Sequence, residues 1–175
     1  QYTSGSTNAP KGVMVSHENV LHNAENSLHH CPVAVSWLPQ FHDMGLLGYY
    51  LFILIKGGTT YGFSPMDFLR NPLLWLETIS KYKATTSSAP NFAFEYCLRE
   101  DKISSKTLKN SALNLNSLKI LMTAAEPVRA TTFTQFFNRF QPSGLSINAF
   151  SAAYGLAENT IAVAMNGRTS LSLNR

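Results

Sequence analysis

The sequence predicts an α/β fold: a layered, largely parallel sheet flanked by helices. Three observations predict it. Short apolar runs such as VAVSWL (33–38) and LKILMT (118–123) have strand length and are bounded by turn residues. Between them lie longer segments whose apolar residues recur at helical spacing. The two kinds alternate along the chain, and such alternation builds parallel sheets with crossover helices. With 175 residues, 45% of them apolar, the chain can bury one real core.

The elements follow in order. Gln1 to Thr3 reads as the end of a strand, and Gly12 to Val15 as a short second one. Ser16 is a helix N-cap, with Glu18 in the first turn where the dipole favours an acid. That helix is expected from His17 to His29, with Val20, Leu21, Ala24 and Leu28 on one face. The strand at Val33–Leu38 stops at Pro39. A helix from about Asp43 carries the apolar run to Ile55, and Gly57-Gly58 ends it. Thr59–Phe63 reads as a strand, and Pro72–Tyr82 as a helix with proline in its first turn. Ala84–Ser88 reads as a strand, and Asn91 as the cap of a helix to about Glu100. The polar stretch 101–116 reads as a surface excursion with a short helix. After the strand at Leu118–Thr123 comes an amphipathic helix at Val128–Phe140, with Phe133, Phe136, Phe137 and Phe140 inward. Ala149–Ala153 then leads into a turn at Tyr154-Gly155.

Composition excludes several classes. Net charge is +4, but the basic residues are scattered, with no basic run and no aromatic-interleaved stripe, so nucleic acid is not an expected partner. Two distant cysteines, Cys31 and Cys97, make no disulfide framework or zinc motif and predict a reducing, cytoplasmic setting. His29-His30 reads as a solvated helix end rather than a metal site. The longest apolar run, Leu46–Ile55, is too short for a transmembrane segment. The start at QYTSG and the end at TSLSLNR predict a fragment of a longer protein.

One stretch carries chemistry on its face: TSGSTNAPKG, Thr3 to Gly12. Gly5 and Gly12 supply backbone freedom. Thr3, Ser4, Ser6 and Thr7 supply hydroxyls, and Lys11 supplies a mobile positive charge. It is not a Walker A loop, which needs glycine directly before the lysine and a hydroxyl after it; here Pro10 precedes Lys11 and Gly12 follows. On chemistry alone, a phosphate cradle and a Ser/Gly-rich surface turn fit equally.

YTSGSTNAPKGV resembles the phosphate-loop signature of the adenylate-forming superfamily, (Y/F)TSGSTGxPKGV, with Asn8 where glycine is usual. VSHENV (15–20) resembles the stretch that follows it. YGLAE (154–158) resembles the YGxTE block, and WLPQFHDMGLL (37–47) resembles WLPxxHDMGL. The run from Ser64 to Glu100 with its PNFAFEY, and LKILMTAAEPVR (118–129), resemble the fatty acyl-AMP ligase branch. There Thr123-Ala124 stands where Asn-Gly is usual, and Ser88-Ala89 where small glycines line the pocket.

The resemblance implies a part of the large N-terminal, AMP-binding domain, spanning residues 1–175, with the lysine-bearing C-terminal domain absent. It implies ATP and Mg²⁺ as cofactors. Fatty acid would be activated to acyl-adenylate with loss of pyrophosphate, then passed to an acyl carrier protein in lipid or polyketide biosynthesis. An acyl-CoA ligase and a non-catalytic nucleotide-binding relative are the alternatives. By the same resemblance Thr3, Ser4, Gly5, Ser6, Thr7, Lys11 and Gly12 grip phosphates. Ala125, Glu126, Tyr154 and Gly155 surround adenine, Glu158 holds the metal, and His42 lies beside the substrate carboxylate. The isolated 175 residues are expected to be inactive.

Overall fold

The computed structural model describes residues 1–2, 9–27 and 31–168. Helix α1 (His17–Ser27) is capped reciprocally: Ser16 Oγ accepts from Asn19 N, and Ser16 N donates to Asn19 Oδ1. Strand β1 (Val33–Ser36) follows. A continuous helical stretch then runs through α2 (Asp43–Gly45), a π-helical segment (Leu46–Leu51) and α3 (Phe52–Ile55). Gly57, at φ +69°, closes it, with Gly58 N donating back to Ile53 O at 2.8 Å. Strand β2 (Thr59–Gly62), helices α4 (Pro65–Arg70) and α5 (Leu73–Tyr82), and β3 (Thr86–Ala89) come next. Then follow α6 (Asn91–Leu98), α7 (Ser105–Asn110), β4 (Ile120–Thr123) and α8 (Ala130–Phe140). The last strands are β5 (Phe150–Gly155) and β6 (Ala162–Gly167).

The six strands form one sheet in the order β2-β1-β3-β4-β5-β6, parallel except for the antiparallel β5–β6 edge. The expected layered, largely parallel sheet is therefore present. The order reverses direction between β1 and β3, and in such sheets ligands bind beyond the carboxyl ends of the strands.

Register assigns the two faces. Ser87, Leu121 and Phe150 share one face. It packs on α5, α6 and α8 through an aromatic cluster: Phe94 lies 5.6 Å from Trp75, 5.4 Å from Phe133 and 5.0 Å from Phe136. Trp75 Nε1 donates to Ser87 Oγ at 2.8 Å, which donates to Val35 O at 2.6 Å, so the buried indole is satisfied. Thr86, Ile120 and Met122, with Ser151 level with Met122, share the other face. The π-helical segment covers it.

Several local expectations are corrected. Gly12–Val15 is not a strand: Tyr2 and Gly12 form a single antiparallel bridge, and Met14 is almost fully exposed. A ladder needs a neighbour, and none among the described residues flanks this pair. Helix α4 was not expected, although Ser64 caps Asp67 N with Pro65 in the first turn. Asn91 lies inside α6 and does not cap it; its side chain bridges two segments, donating to Glu95 Oε1 at 2.8 Å and accepting from Arg129 N at 3.0 Å. Tyr154 and Gly155 are the last residues of β5, and the chain turns later, at Ala157–Asn159. Leu28, His29 and His30 lie outside the described residues. Among those described, no helix is long and apolar enough to cross a membrane.

Candidate active site

A cleft of about 910 Å³ opens at the carboxyl ends of β4 and β5 and runs down between that second sheet face and the π-helical segment. Lys11, His42, Ala125, Tyr154, Gly155 and Glu158 all line it. Six residues singled out in four separate stretches of sequence thus meet in one place. Gly12 sits just behind, bridged to Tyr2. Glu126 is directed elsewhere: its Oε1 accepts from Phe92 N at 2.6 Å, at the start of α6. Thr3, Ser4, Gly5, Ser6 and Thr7 lie outside the described residues.

The mouth is built from turns that few residues tolerate. Ala125 follows β4 at φ +73°, a left-handed geometry that costs a non-glycine residue about 1–2 kcal/mol. Thr160, at φ +69° and ψ −62°, centres a three-residue turn closed by Ile161 N donating to Asn159 O at 2.8 Å. At Gly155 an added Cβ would lie 2.1 Å from Ile161 O, so only glycine lets β5 approach the returning chain. Tyr154 is 61% exposed, leaving its ring accessible to a flat partner.

Two clamps hold the turn that carries Glu158, and the sequence did not reveal either. Gln1 Nε2 donates to Ala157 O at 3.2 Å and Thr160 O at 2.8 Å. Asn23 on α1 donates to Ala162 O at 3.2 Å and accepts from Ala162 N at 3.0 Å. The N-terminal segment that roots the glycine-rich loop is therefore fixed to the Glu158 turn. Both contacts join residues more than 130 positions apart, beyond any local pattern.

His42 is held by its neighbour. Its Nδ1 lies 2.8 Å from Asp43 Oδ1. Met44 N lies 3.2 Å from that nitrogen and 2.7 Å from the same carboxylate oxygen. The charged carboxylate is the nearer acceptor, so it takes the amide N–H and leaves Nδ1 its proton. The hydrogen bond to Asp43 raises the His42 pKa above the ordinary 6.5, against partial burial. The same bond lowers Asp43 below 3.8. The imidazolium's contribution to stability is complete below pH 6.5 and is lost as pH rises through the raised value. That of Asp43 is present above pH 3.8 and is lost as pH falls through the lowered value. In Asp43→Asn the His42 ring is expected to titrate closer to 6.5, followed by NMR of the imidazole protons. An unchanged midpoint would refute the pairing.

Asn91 and Glu126 lace together the two segments that marked the ligase branch. Glu95 Oε1 accepts from Asn91 Nδ2 and, at 3.1 Å, from Thr132 Oγ1. Glu126 reaches Phe92 N from the other side. PNFAFEY and AEPVR are thus two halves of one hydrogen-bonded corner beside the cleft.

A family model described as AMP-binding enzyme matches residues 1–174. A medium-chain-fatty-acid–[acyl-carrier-protein] ligase of Moorena producens is 40% identical, the match covering 93% of this chain and 28% of that protein. A 4-hydroxyphenylalkanoate adenylyltransferase of Mycobacterium tuberculosis is 39% identical over 95% of this chain and 28% of its own. The crystal structure of a fatty acyl-adenylate ligase from Legionella pneumophila, in complex with acyl adenylate and pyrophosphate, superposes with a TM-score of 0.86. It is 43% identical and covers 95% of this chain and 30% of that one. The chain thus spans a little over a quarter of the length of these relatives. With the cleft, the sheet and the family model in agreement, this chain belongs to the AMP-binding enzyme family.

Proposed function

We propose that this chain is the phosphate-gripping and acyl-binding part of the N-terminal domain of a fatty acyl-AMP ligase. The observation that carries the reading is the single cleft. Its mouth gathers Lys11, His42, Tyr154 and Glu158, and its depth is a sheet face where Ile120, Met122 and Ala153 lie beside the hydroxyls of Thr86 and Ser151. Charge chemistry at one end and an apolar channel behind it suit a long-chain carboxylic acid and a nucleotide. The Moorena relative's name and the acyl-adenylate bound in the Legionella structure support the same substrate class.

In the proposed reaction a carboxylate oxygen attacks the α-phosphorus of ATP, and pyrophosphate leaves. The carboxylate supplies the electron pair, so no covalent enzyme intermediate is needed. Lys11 offers positive charge at the mouth, where negative charge builds on the phosphoryl oxygens. His42, its Nδ1 held by Asp43 in a pairing that favours the protonated ring, orients the incoming carboxylate. Tyr154 offers its exposed ring to the adenine face. Glu158 would hold Mg²⁺, which offsets phosphate charge. Its exposed carboxylate at the mouth fits an ion that takes one or two protein oxygens and completes its shell with phosphate and water.

The acceptor is the phosphopantetheine thiol of an acyl carrier protein. The full-length protein carrying this chain, given ATP, Mg²⁺ and radiolabelled fatty acids, should accumulate acyl-AMP in the presence of CoA and discharge it only to loaded carrier protein. Acyl-CoA would make it an acyl-CoA ligase. No adenylate with any acid would make it a non-catalytic relative.

A further inference from the structure

Among the hydroxyls that line the cleft, one is buried without a hydrogen-bond partner among the described residues. Ser151 is 3% exposed, and its Oγ has no hydrogen-bond partner among the described residues. It stands on the cleft face of β5, level with Met122 on β4, and both residues line the cleft. The other polar groups nearby are differently placed. The buried Tyr49 phenol, pushed up to about 12 by burial, has the Ser88 and Thr86 hydroxyls beside it. Ser87 faces the opposite layer and is spent on Trp75 and Val35. Around Ser151 the lining is apolar: Ile120, Met122 and Ala153. A buried hydroxyl without a partner is costly, and a ligand that satisfies it recovers that cost.

We propose, resting on the reading of this cleft as an acyl channel, that Ser151 selects carboxylic acids bearing an oxygen substituent along the chain. A serine hydroxyl both donates and accepts, so a hydroxy and a keto group are recognised alike. Its depth sets the position of that group. Ser151 precedes Tyr154 by three residues of strand, roughly 10 Å below the mouth at about 3.3 Å per residue. The substituent therefore lies at mid-chain, far from the carboxylate. The methylenes on either side pack against Met122, Ile120 and Ala153. Discrimination of this kind works in one direction: an unsubstituted chain leaves the serine stranded, while the oxygenated chain pairs it.

The test uses the full-length protein and measures pyrophosphate release with decanoic acid and its mid-chain hydroxy and keto derivatives. Wild type should favour the oxygenated acids in kcat/KM by about tenfold, the worth of one net hydrogen bond. Ser151→Ala should erase that preference, chiefly by slowing the oxygenated acids. Without any acid present, Ser151→Ala should melt at or above the wild-type temperature, since it removes an unpaired buried hydroxyl. Equal rates for all acids in wild type, or a preference that survives in Ser151→Ala, would overturn the assignment while leaving the ligase reading intact. Failure of every acid to release pyrophosphate would overturn the ligase reading itself, and this inference with it.

Discussion

Replacing Phe94 with alanine is expected to remove about 3–5 kcal/mol of stability. Its ring is fully buried and touches three rings from two other elements: Trp75 on α5, and Phe133 and Phe136 on α8. Aromatic neighbours at such edge-on angles cannot collapse into the space without losing their own preferred geometry. Phe136 in turn packs on Phe140 at 4.5 Å, so the defect spreads through one layer of the core. At about 2–4 °C per kcal/mol for a chain of this size, the melting temperature should fall by roughly 6–20 °C. Phe41 is the control. It is 95% exposed, and its alanine variant should stay within about 0.5 kcal/mol of wild type. Denaturant unfolding of both variants, followed by circular dichroism, checks the contrast. Equal losses would mean that the aromatic layer is not the core.

Glu158→Gln is expected to slow adenylate formation by about a hundredfold or more, the usual cost of removing one charge-stabilising group from a transition state. The substitution keeps shape and removes only charge. Glu158 is exposed, so folding should be unaffected. The defect should appear in kcat, measured by pyrophosphate release in the full-length protein, and raised Mg²⁺ should partly restore it. Near-normal turnover at ordinary Mg²⁺ would remove Glu158 from the proposed metal site.

Much of the sheet was legible because its signals are local. VAVSWL and LKILMT are strand-length and apolar, and register later placed their alternate residues on opposite faces. The helix at His17 was announced by Ser16, and the stop after Ile55 by Gly57. The π-helical segment was not legible. Its defining bond runs from Phe52 N to Leu47 O, and apolar periodicity over so few residues does not separate a π turn from an α turn. Asn91 was misread for a related reason: asparagine before an apolar run is an ordinary cap, and only the approach of Arg129 gives it another use. The site behaved similarly. Lys11, His42, Tyr154 and Glu158 were named from three stretches, and the fold gathers them. Glu126 belonged to a recognisable motif, yet its carboxylate supports the start of α6. Gln1, Asn23 and Ser151 carried no motif; their roles exist only once distant strands are side by side.

The clamps at Gln1 and Asn23 also bear on the order in which the molecule assembles. Trp37 stacks on Phe68 at 4.0 Å, a contact across some thirty residues, and α6 meets α8 across some forty. The bonds from Gln1 to Thr160 and from Asn23 to Ala162 close loops of 159 and 139 residues. Loop closure costs entropy that rises with length, so these bonds form after the aromatic layer has already drawn the chain together. Disrupting them should hasten unfolding and leave the refolding rate nearly unchanged. The mouth of the cleft is then the last part to set and the first to open, while the lining beneath it persists on the sheet.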